Sequence, residues 1–533
     1  MAALTWNTRN ALAAVCCAVI AGLCGIPLLS LVIEGIGSAD VRLWVLSGAL
    51  LTRSLGLGAA AALLATILGG VAALALQGCP RRWKGALLAV LVIPVLLPSY
   101  IQALTWSNLL SGSDWLQRSL APRSSPAGWA LSIWVLAVSY YPIALLMILA
   151  ALRRWDERFS WSAWANGRGP SGVRELRWRY LRTPVLTGVF VIFLLAFADF
   201  AVPDYFQLPT YATEIFVQIS GYLDASRAMA LVLPVLAISA LLFWALARAS
   251  GRLTLTSSYG TGVVQVAPSP SWRAGAIGLL LAVVLVAVPL GNLLRMTRGP
   301  RVARIALQMV WPDAVTGYAL ALPTAAFAVA IGLLCAYVVQ RSPLRQAQWI
   351  RVIPAALFAV PASLLGLLTI RVWNQSPALG WAYDCGLALL LALLARWLPV
   401  SLEILHSGWR QVGPAQEEAA HANGIAWGAA LYRVLLPQLR PALLSAFLLT
   451  TVLVFNELTL VTLLAPPGMS TLPLRVFQTV HYGPETLLAA ICLWHIVFLV
   501  VPAAALLVVS RRWLERWMDQ QDVAPQRGFK ITR

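Results

Sequence analysis

The chain has 533 residues, of which 60% are hydrophobic and only 11% are charged. This composition excludes an ordinary soluble globule and indicates a protein whose main solvent is the lipid bilayer. A formal net charge of +19 would suggest a nucleic-acid ligand in a soluble protein. Here the charge follows the expected membrane topology, so we predict the bilayer and no nucleic acid as partner.

Apolar segments long enough to cross about 30 Å of hydrocarbon recur along the whole chain, and each needs about 20 residues. In lipid, such segments form helices because every backbone polar group is then satisfied internally. We predict an all-α, polytopic membrane protein with about twelve transmembrane helices. The predicted spans are 11–33, 55–77, 85–107, 128–152, 185–207, 229–249, 274–294, 316–340, 352–372, 386–405, 442–465 and 485–510. The first span exceeds a typical signal-peptide core and lacks a clear cleavage site, so we interpret it as a retained anchor.

Positive charge falls mainly on one side of this predicted topology. Segment 153–184 carries eight arginines against three acids, segment 79–84 adds three positive charges, and the tail from Arg511 adds six. Segment 295–306, with four arginines, is an exception on the other side. The positive-inside rule therefore predicts that both termini are cytoplasmic.

The sequence contains an internal duplication. An offset of 257 residues aligns Pro142 with Pro399, and it aligns the tripeptide Ala-Asn-Gly at 165–167 with the same tripeptide at 422–424. Two homologous halves of six spans each follow, and an even number of spans makes the repeats parallel. The predicted units are a first half (1–250), a cytoplasmic linker rich in Ser, Thr, Gly and Pro (251–273), a second half (274–510) and a cytoplasmic tail (511–533).

The segment "QEEAAHANGIAWGAALYRVLLPQLRP" (416–441) lies between two predicted spans. Glu417 and Glu418 begin a short helix at the end where the helix dipole favours negative charge. Small alanines keep this helix slim, and Gly424 permits a turn that a residue with a Cβ resists. Pro437 then interrupts the segment near the start of the next span. The pattern predicts a helix-turn-helix knob that fits a socket on another protein; an ordinary amphipathic surface helix is the simpler alternative.

This segment resembles a known motif. The spacing Glu418-Ala419-Ala420, three residues, Gly424, nine residues, Val434, one residue, Leu436-Pro437 is similar to the "EAA" loop of ATP-binding-cassette importer permeases, with Val in place of the usual Ile. Both halves resemble the six-helix unit of that family. The resemblance implies the type I ABC importer permease fold, in which this loop is the coupling helix that sits in a groove on the ATPase subunit.

The same resemblance implies the partners and the location. These are two copies of a cytoplasmic ATP-binding-cassette ATPase, a periplasmic or extracellular substrate-binding protein, and the bacterial cytoplasmic (inner) membrane. Closure of the ATPases on ATP would draw the two coupling loops together and open the pathway outward, by alternating access.

The corresponding loop of the first half, 153–184, is degenerate. At the offset of 257, Trp161 stands at the position of Glu418 and Tyr180 at that of Pro437. We predict that the two docking sites are unequal, although a plain linker is the alternative for this loop. The predicted ATPase-coupling residues are Glu417, Glu418, Ala419, Ala420, Gly424, Pro437, Ala165, Asn166 and Gly167.

No catalytic motif accompanies these features. The chain has only two lysines, Lys84 and Lys530, followed by Gly and Ile, so it contains no P-loop. The seven cysteines and four histidines show no metal-ligand spacing. We predict a transport subunit that is not an enzyme and holds no cofactor or metal, with ATP bound by partner subunits.

Polar residues near the ends of spans five and eleven are candidates for the substrate path, since charge within a membrane is costly. They are Asp199, Asp204, Asn456 and Glu457. Their segments resemble the ferric-iron branch of the fused permeases, in which an acid-bearing fifth helix is followed by a Pro-Pro-Gly loop and a "TLPLR"-like stretch. We therefore predict ferric iron as substrate, with thiamine, phosphonate or polyamine as alternatives. A purely structural role, capping helix ends, fits these residues equally well.

Two further interpretations concern charges in span ten and the class of transporter. Arg396 and Asp384 are interpreted as an ion pair or as side chains that snorkel to the interface. A proton-coupled secondary transporter is the alternative from a different class, but it needs titratable residues deep within the helices and leaves the 418–437 spacing unexplained. A membrane-embedded enzyme lacks the required His or Asp cluster.

Overall fold

The computed structural model describes residues 6–37, 41–110, 125–153, 155–222, 224, 226–231, 233–238, 241, 271–342, 345–358, 360–373 and 377–522. Regular structure within these ranges is helical throughout. The predicted linker, apart from its last residues, and the final eleven residues of the predicted tail lie outside them.

The first part of the chain forms eleven helices within the described ranges. They are α1 (Trp6–Ile20), α2 (Ile26–Gly37), α3 (Val41–Gly78), α4 (Arg81–Leu96), α5 (Ser99–Leu110), α6 (Pro126–Arg153), α7 (Glu157–Ala165), α8 (Gly169–Ala198), α9 (Ala201–Tyr205), α10 (Tyr211–Ser220) and α11 (Ser226–Ile238). A π-helical turn, Ala21–Gly25, joins α1 to α2.

The second part forms thirteen further helices within the described ranges. They are α12 (Trp272–Ala282), α13 (Val288–Met296), α14 (Pro300–Arg341), α15 (Trp349–Phe358), α16 (Ala362–Trp373), α17 (Pro377–Asp384), α18 (Leu387–Gln411), α19 (Pro414–Ala422), α20 (Trp427–Ala430), α21 (Leu436–Phe455), α22 (Thr459–Leu464), α23 (Leu472–Tyr482) and α24 (Glu485–Asp522). Two π-helical turns, Val283–Ala287 and Leu431–Leu435, and a 3₁₀ turn, Arg345–Gln348, connect some of them.

In the described part of the chain, nine helices are long and apolar enough to cross a membrane, or up to 11 if each of two bent pairs counts as one span. This confirms the predicted all-helical, polytopic class. The predicted span 229–249 is described only in part, as the shorter apolar helix α11.

Two spans predicted as single helices, 85–107 and 352–372, are sharply bent. Helices α4 and α5 meet at 99°, and α15 and α16 meet at 105°. Each break contains a proline, Pro98 or Pro361. Proline has no backbone N–H and pushes the preceding residue out of the helical region, and Leu97 is accordingly extended (φ −88°, ψ 130°).

The predicted C-terminal ends of spans five and eleven are wrong by about ten residues. Helix α8 ends at Ala198 and α21 at Phe455, whereas the predictions continued to 207 and 465. The residues that end them are Asp199 and Asn456, which occupy equivalent positions in the two halves. Short helices, α9 and α22, then follow.

The two halves are interleaved. The first helix of the chain packs against α14 and α15, while α12 packs against α3 and α4. Accordingly, Cys16 and Cys335 share one buried cluster, and Ala62 shares another with Leu285. Each half therefore completes its core with the first span of the other half, and the sequence boundary near 250–274 is not a boundary between two separate cores.

Candidate functional site

The helix-turn-helix knob predicted from 416–441 is present. Helix α19 ends where Asn423 folds its side chain back, donating from Nδ2 to the Ala419 carbonyl at 2.7 Å. Gly424 has φ +74°, the left-handed region that favours glycine. The Ile425 N–H then bonds to the Ala420 carbonyl at 3.1 Å, which closes the helix end.

Glu417 faces the protein. Its Oε1 accepts a hydrogen bond from the Tyr337 hydroxyl at 2.7 Å, and its Oε2 accepts one from Arg341 Nε at 3.1 Å. The side chains of Arg341 and Glu417 are 9% and 12% exposed, respectively. Arg341 also donates to the Val412 carbonyl at 3.0 Å. This ion pair attaches α19 to the end of α14.

The opposite face of α19 is exposed and slender. Glu418, Ala419 and Ala422 are exposed, while Ala420 is buried against the protein. Pro437 is the second residue of α21, and the span Gly428–Phe455 runs through it by way of the π-helical turn. The prediction that Pro437 interrupts the segment is therefore wrong, because the π-helical turn carries the helix past it. Two adjacent glutamates thus have different surroundings, because successive helical residues differ by about 100° in direction.

The degenerate loop of the first half folds in the same way. Asn166 Nδ2 donates to the Ser162 carbonyl at 2.8 Å, Gly167 has φ +70°, and the Arg168 N–H bonds to the Ala163 carbonyl at 3.0 Å. Helix α7 therefore ends like α19, and Ala165 lies in its exposed last turn. The three predicted residues of this loop build its turn.

The two helices differ in what they expose and in how they are attached. Helix α7 presents aromatic rings, with Trp161 54% and Trp164 57% exposed. Its attachment is an ion pair between Glu157 and Arg177 of α8 at 3.0 Å. Ser160, which stands at the position of Glu417, accepts a hydrogen bond from the Trp155 indole at 3.3 Å.

The polar residues of the predicted substrate path lie mainly at the two broken spans. Asp199 Oδ2 accepts hydrogen bonds from Ser99 at 2.6 Å and from Tyr140 at 2.9 Å, and its Oδ1 accepts from the Val202 N–H at 3.1 Å. Because Ser99 begins α5, this carboxylate lies beside the N-terminus of that half-helix, where the dipole favours negative charge.

Asn456 lies on the other side of the same break. Its Nδ2 donates to the carbonyl of Leu96, the last residue of α4, at 2.8 Å. Its Oδ1 is 2.8 Å from Nε2 of His495 in α24. A residue of the second half thus caps a half-helix of the first.

Arg396 of α18 holds the second break. It donates from one guanidinium nitrogen to the carbonyls of Phe358 at 2.7 Å and Val360 at 2.5 Å. These carbonyls lie at the C-terminal end of α15, where the dipole favours a cation. The interpretation of Arg396 as an ion pair with Asp384 or a snorkelling side chain is wrong: the residue is 6% exposed and interacts electrostatically with Glu457. A charged residue within an apolar span was the signal available in the sequence.

Glu457 and Asp204 complete the predicted set. Glu457 is buried, and its Oε1 accepts a hydrogen bond from the Leu460 N–H at 3.3 Å. Asp204 is exposed and lines a separate cavity between α9 and α23. Asp199, Asn456 and Glu457 therefore lie at the breaks, whereas Asp204 lines a cavity that borders the first break through Tyr100. Within the described ranges, no group of three His, Cys, Asp or Glu side chains is arranged to hold a metal ion.

Comparison with known proteins identifies part of the chain. The family described as binding-protein-dependent transport system inner membrane component matches residues 328–520. This range contains most of the second half, including Arg396, α19 and Asn456.

Several curated relatives are permeases of different transport systems. The chain is 30% identical over 140 residues to the putative ferric transport system permease protein FbpB 1 of Haemophilus influenzae, an alignment that covers 26% of this chain and 21% of the relative. It is 28% identical over 130 residues to the putrescine transport system permease protein PotI of Escherichia coli, covering 24% and 46%. It is 24% identical over 422 residues to the thiamine transport system permease protein ThiP of Salmonella typhimurium, covering 75% and 78%.

The extent of these matches differs between the relatives. The chain spans about a fifth of the length of the ferric permeases it matches, 21% and 20%. The thiamine permease alignment is the longer one and includes both halves. Residues 328–520, which carry α19 and the second broken span, thus match the family of binding-protein-dependent transport system inner membrane components, the permease domain of ATP-binding-cassette transporters.

Proposed function

We propose that this chain is the membrane-spanning permease subunit of an ATP-binding-cassette importer in the bacterial cytoplasmic membrane. The observation that carries the proposal is α19: a short helix with one slender exposed face, attached through the largely buried side chain of Glu417 to a membrane-spanning helix. Such a helix transmits force from a partner protein to the bundle.

In this proposal, the energy for transport comes from ATP bound by partner proteins. The sequence contains no P-loop, so ATP would be bound by two cytoplasmic ATPase subunits, one at α7 and one at α19. A substrate-binding protein would deliver the substrate on the other side, with both termini of this chain in the cytoplasm.

The route from partner to pathway runs through α14. Glu417 bonds to Tyr337 and Arg341, the last turns of this 42-residue helix. Helix α14 packs in turn against α18, which carries Arg396, and against α21, which is followed directly by Asn456. Displacement of α19 would therefore reach the residues that hold both breaks, and rocking of these rigid helices would open the pathway alternately to each side.

The two docking sites are unequal in this proposal. Helix α19 offers Glu418 and small alanines, whereas α7 offers Trp161 and Trp164. Since both helices share one backbone geometry, two copies of one ATPase would meet the same shape with different side chains. Burial of two indoles would make contact at α7 more apolar than contact at α19.

For the substrate we propose a cation, and ferric iron is the specific prediction from the sequence. Two ferric permeases among the relatives support it. Putrescine and thiamine permeases among the relatives support organic cations as well, and an aminoethylphosphonate permease supports a zwitterion. Asp204 and Glu457 are carboxylates that suit a cation in transit.

A proton-coupled secondary transporter is the proposal from another class. It gains some support from two carboxylates within the bundle, the half-buried Asp199 and the buried Glu457. Both, however, are engaged in hydrogen bonds with groups at the ends of helices, and this class assigns no role to α19.

The deciding experiment is reconstitution of the chain with its ATPase and binding protein in liposomes, followed by uptake of radioactive iron with and without ATP. We expect uptake to require ATP and to be abolished by Glu418→Ala combined with Gly424→Asp. Trp161→Ala with Trp164→Ala tests the other docking helix, and Glu175→Ala, an exposed cytoplasmic carboxylate on α8, is the matched control.

ATP-dependent uptake of putrescine or thiamine without iron uptake would support the permease function and overturn iron as the substrate. Uptake driven by a proton gradient without ATP would overturn the importer.

A further inference from the structure

A cavity of about 200 Å³ lies at the contact between the two halves. It is small compared with ligand pockets of about 300–1,000 Å³. Its walls come from the break in the first half, from the short helix α9 and from α23. The lining residues are Tyr100, Ala201, Asp204, Tyr205, Gln207, Phe477 and Val480.

The chemistry of this lining favours a cation with an apolar body. Among the residues that the structure describes, the lining has three aromatic rings and one carboxylate, Asp204, and no lysine or arginine. Glu485, at the start of α24, lies close enough to Tyr205 to add negative potential. Aromatic faces attract organic cations, and quaternary and other ammonium groups are recognised in such surroundings.

Hydrogen bonds and a ring contact fix the positions of residues that line this cavity. The Tyr205 hydroxyl is 2.8 Å from the hydroxyl of Ser107, and its ring packs edge-on against Phe206 at 5.1 Å. Gln207 has φ +54°, the left-handed region that is uncommon for a residue other than glycine. Its N–H bonds to the Asp204 carbonyl at 2.9 Å. Residues held in such conformations concentrate at binding and functional sites.

The carboxylate is confined to one half of the duplicated chain. At the offset of 257 residues, the position of Asp204 is occupied by Val461, which is 2% exposed. The short helix α22 thus packs an apolar residue where α9 carries an acid. A residue needed only to end a helix would be expected in both halves, as Asp199 and Asn456 are.

We propose that this cavity binds a small organic ammonium ion, with Asp204 balancing its charge and with the rings of Tyr205 and Phe477 contacting its carbon atoms. The inference rests on the proposed transport function and narrows its substrate class to organic cations. A bare ferric ion would demand several oxygen or nitrogen ligands at once, whereas this lining offers one carboxylate.

The test is direct binding to the full chain in lipid nanodiscs, without ATPase or binding protein. Isothermal titration with putrescine and with tetramethylammonium would measure affinity, and ferric citrate would be titrated in parallel. We expect Asp204→Asn to weaken binding of the ammonium ions about tenfold and Phe477→Leu to weaken it severalfold. The matched control is Asp384→Asn, an exposed carboxylate at the end of α17 that does not line the cavity.

Each outcome decides the inference. Ammonium binding that is weakened by the two cavity variants and unchanged in the control supports it. Equal binding by all variants, or no binding of either ammonium ion, overturns it, as does Asp204-dependent binding of ferric citrate alone. Tyr205→Phe, which keeps the ring and loses only the hydroxyl, provides a second readout if Phe477→Leu does not fold. Because no ATPase is present, failure of ATP-driven uptake in the reconstituted system would leave this result unaffected.

Discussion

At the scale of single residues, the neighbours Glu417 and Glu418 have opposite roles. One is buried in an ion pair with Arg341, and the other is exposed on the face proposed to dock a partner. The sequence predicts that both acids lie in the first turn of a helix but does not say which one faces the protein. That follows from the direction of approach of α14, whose last turn supplies Tyr337 and Arg341.

The different surroundings of Glu417 and Glu418 predict different losses in the free energy of unfolding when each is substituted. Glu417→Gln leaves the buried Arg341 without its counter-charge, so we expect the free energy of unfolding to fall by about 2–3 kcal/mol. Glu418→Gln removes an exposed charge and should change it by less than about 0.5 kcal/mol. Thermal unfolding of the detergent-solubilised variants measures both. Equal losses in the two variants would contradict the assignment.

Arg396 is the second residue whose role depends on tertiary contacts. Arg396→Met removes the donor to the carbonyls of Phe358 and Val360 and leaves Glu457 buried without its positive neighbour. We expect a loss of about 3 kcal/mol or more in the free energy of unfolding. Arg351→Met, which breaks an exposed pair with Glu403, is the control and should lose no more than about 1 kcal/mol. If Arg396→Met lost no more stability than this control, the break between α15 and α16 would be stabilised by other contacts.

At the scale of elements, α7 and α19 share a backbone although their sequences have diverged. What the two loops retain, the Ala-Asn-Gly tripeptide, is what builds the turn: a side-chain amide that caps the helix and a glycine at positive φ. What differs between them is the exposed face, which carries Trp161 and Trp164 in α7 and Glu418 with small alanines in α19. The sequence therefore predicted the position of the helices and their common turn, and it also predicted that the docking faces would be unequal.

The shared turn predicts a shared sensitivity. Gly424→Ala and Gly167→Ala both force a Cβ into the left-handed region, so each should lower the free energy of unfolding by about 1 kcal/mol. Gly428→Ala is the control, because Gly428 lies within helix α20 with open space around its missing Cβ. Alanine there should be neutral or stabilising. Chemical unfolding curves distinguish these results, and a loss confined to Gly424 would mean that the two turns are not equivalent in energy.

The broken spans are the elements that hydropathy did not predict. Segments 85–107 and 352–372 are apolar enough to read as single helices, and Pro98 and Pro361 alone do not require a bend of about 100°, since prolines also occur inside α6, α14 and α18 without ending them. The difference lies in the partners. Asn456 and Arg396 satisfy the carbonyls that each break exposes, and in lipid an exposed backbone group would otherwise be costly.

At the scale of the whole molecule, the duplicated halves exchange their first spans. Span 1 packs with α14 and α15, and α12 packs with α3 and α4. Because of this exchange, each half depends on a helix of the other half for its packing. An internal repeat in the sequence indicates two similar units but carries no information about which helices of one contact the other.

The exchange predicts a specific cross-link between native cysteines. Cys16 in α1 and Cys335 in α14 lie in the same buried cluster, so their thiols are neighbours across the two halves. A protease site inserted within 251–270 would allow the chain to be cut between the halves. After oxidation with copper phenanthroline and cleavage, we expect the halves to remain joined on a non-reducing gel and to separate after reduction.

The neighbouring Cys17 provides the control. It is exposed, so Cys16→Ser should abolish the cross-link while Cys17→Ser preserves it. Halves that separate without reduction in the unmodified chain would contradict the packing of span 1 against the second half.

The sequence by itself determined the class of the protein, the number of spans to within a few, the duplication and the position of α19 with its turn, because these depend on local hydropathy, on spacing and on turn chemistry. Only the tertiary structure decided which of two adjacent glutamates is buried, that Arg396 caps a broken helix, where spans five and eleven end, and that a carboxylate and three aromatic rings meet between the halves. Each of these depends on contacts between residues more than 30 positions apart in the chain. Such contacts are set by how the helices pack around one another, which no local pattern in the sequence encodes.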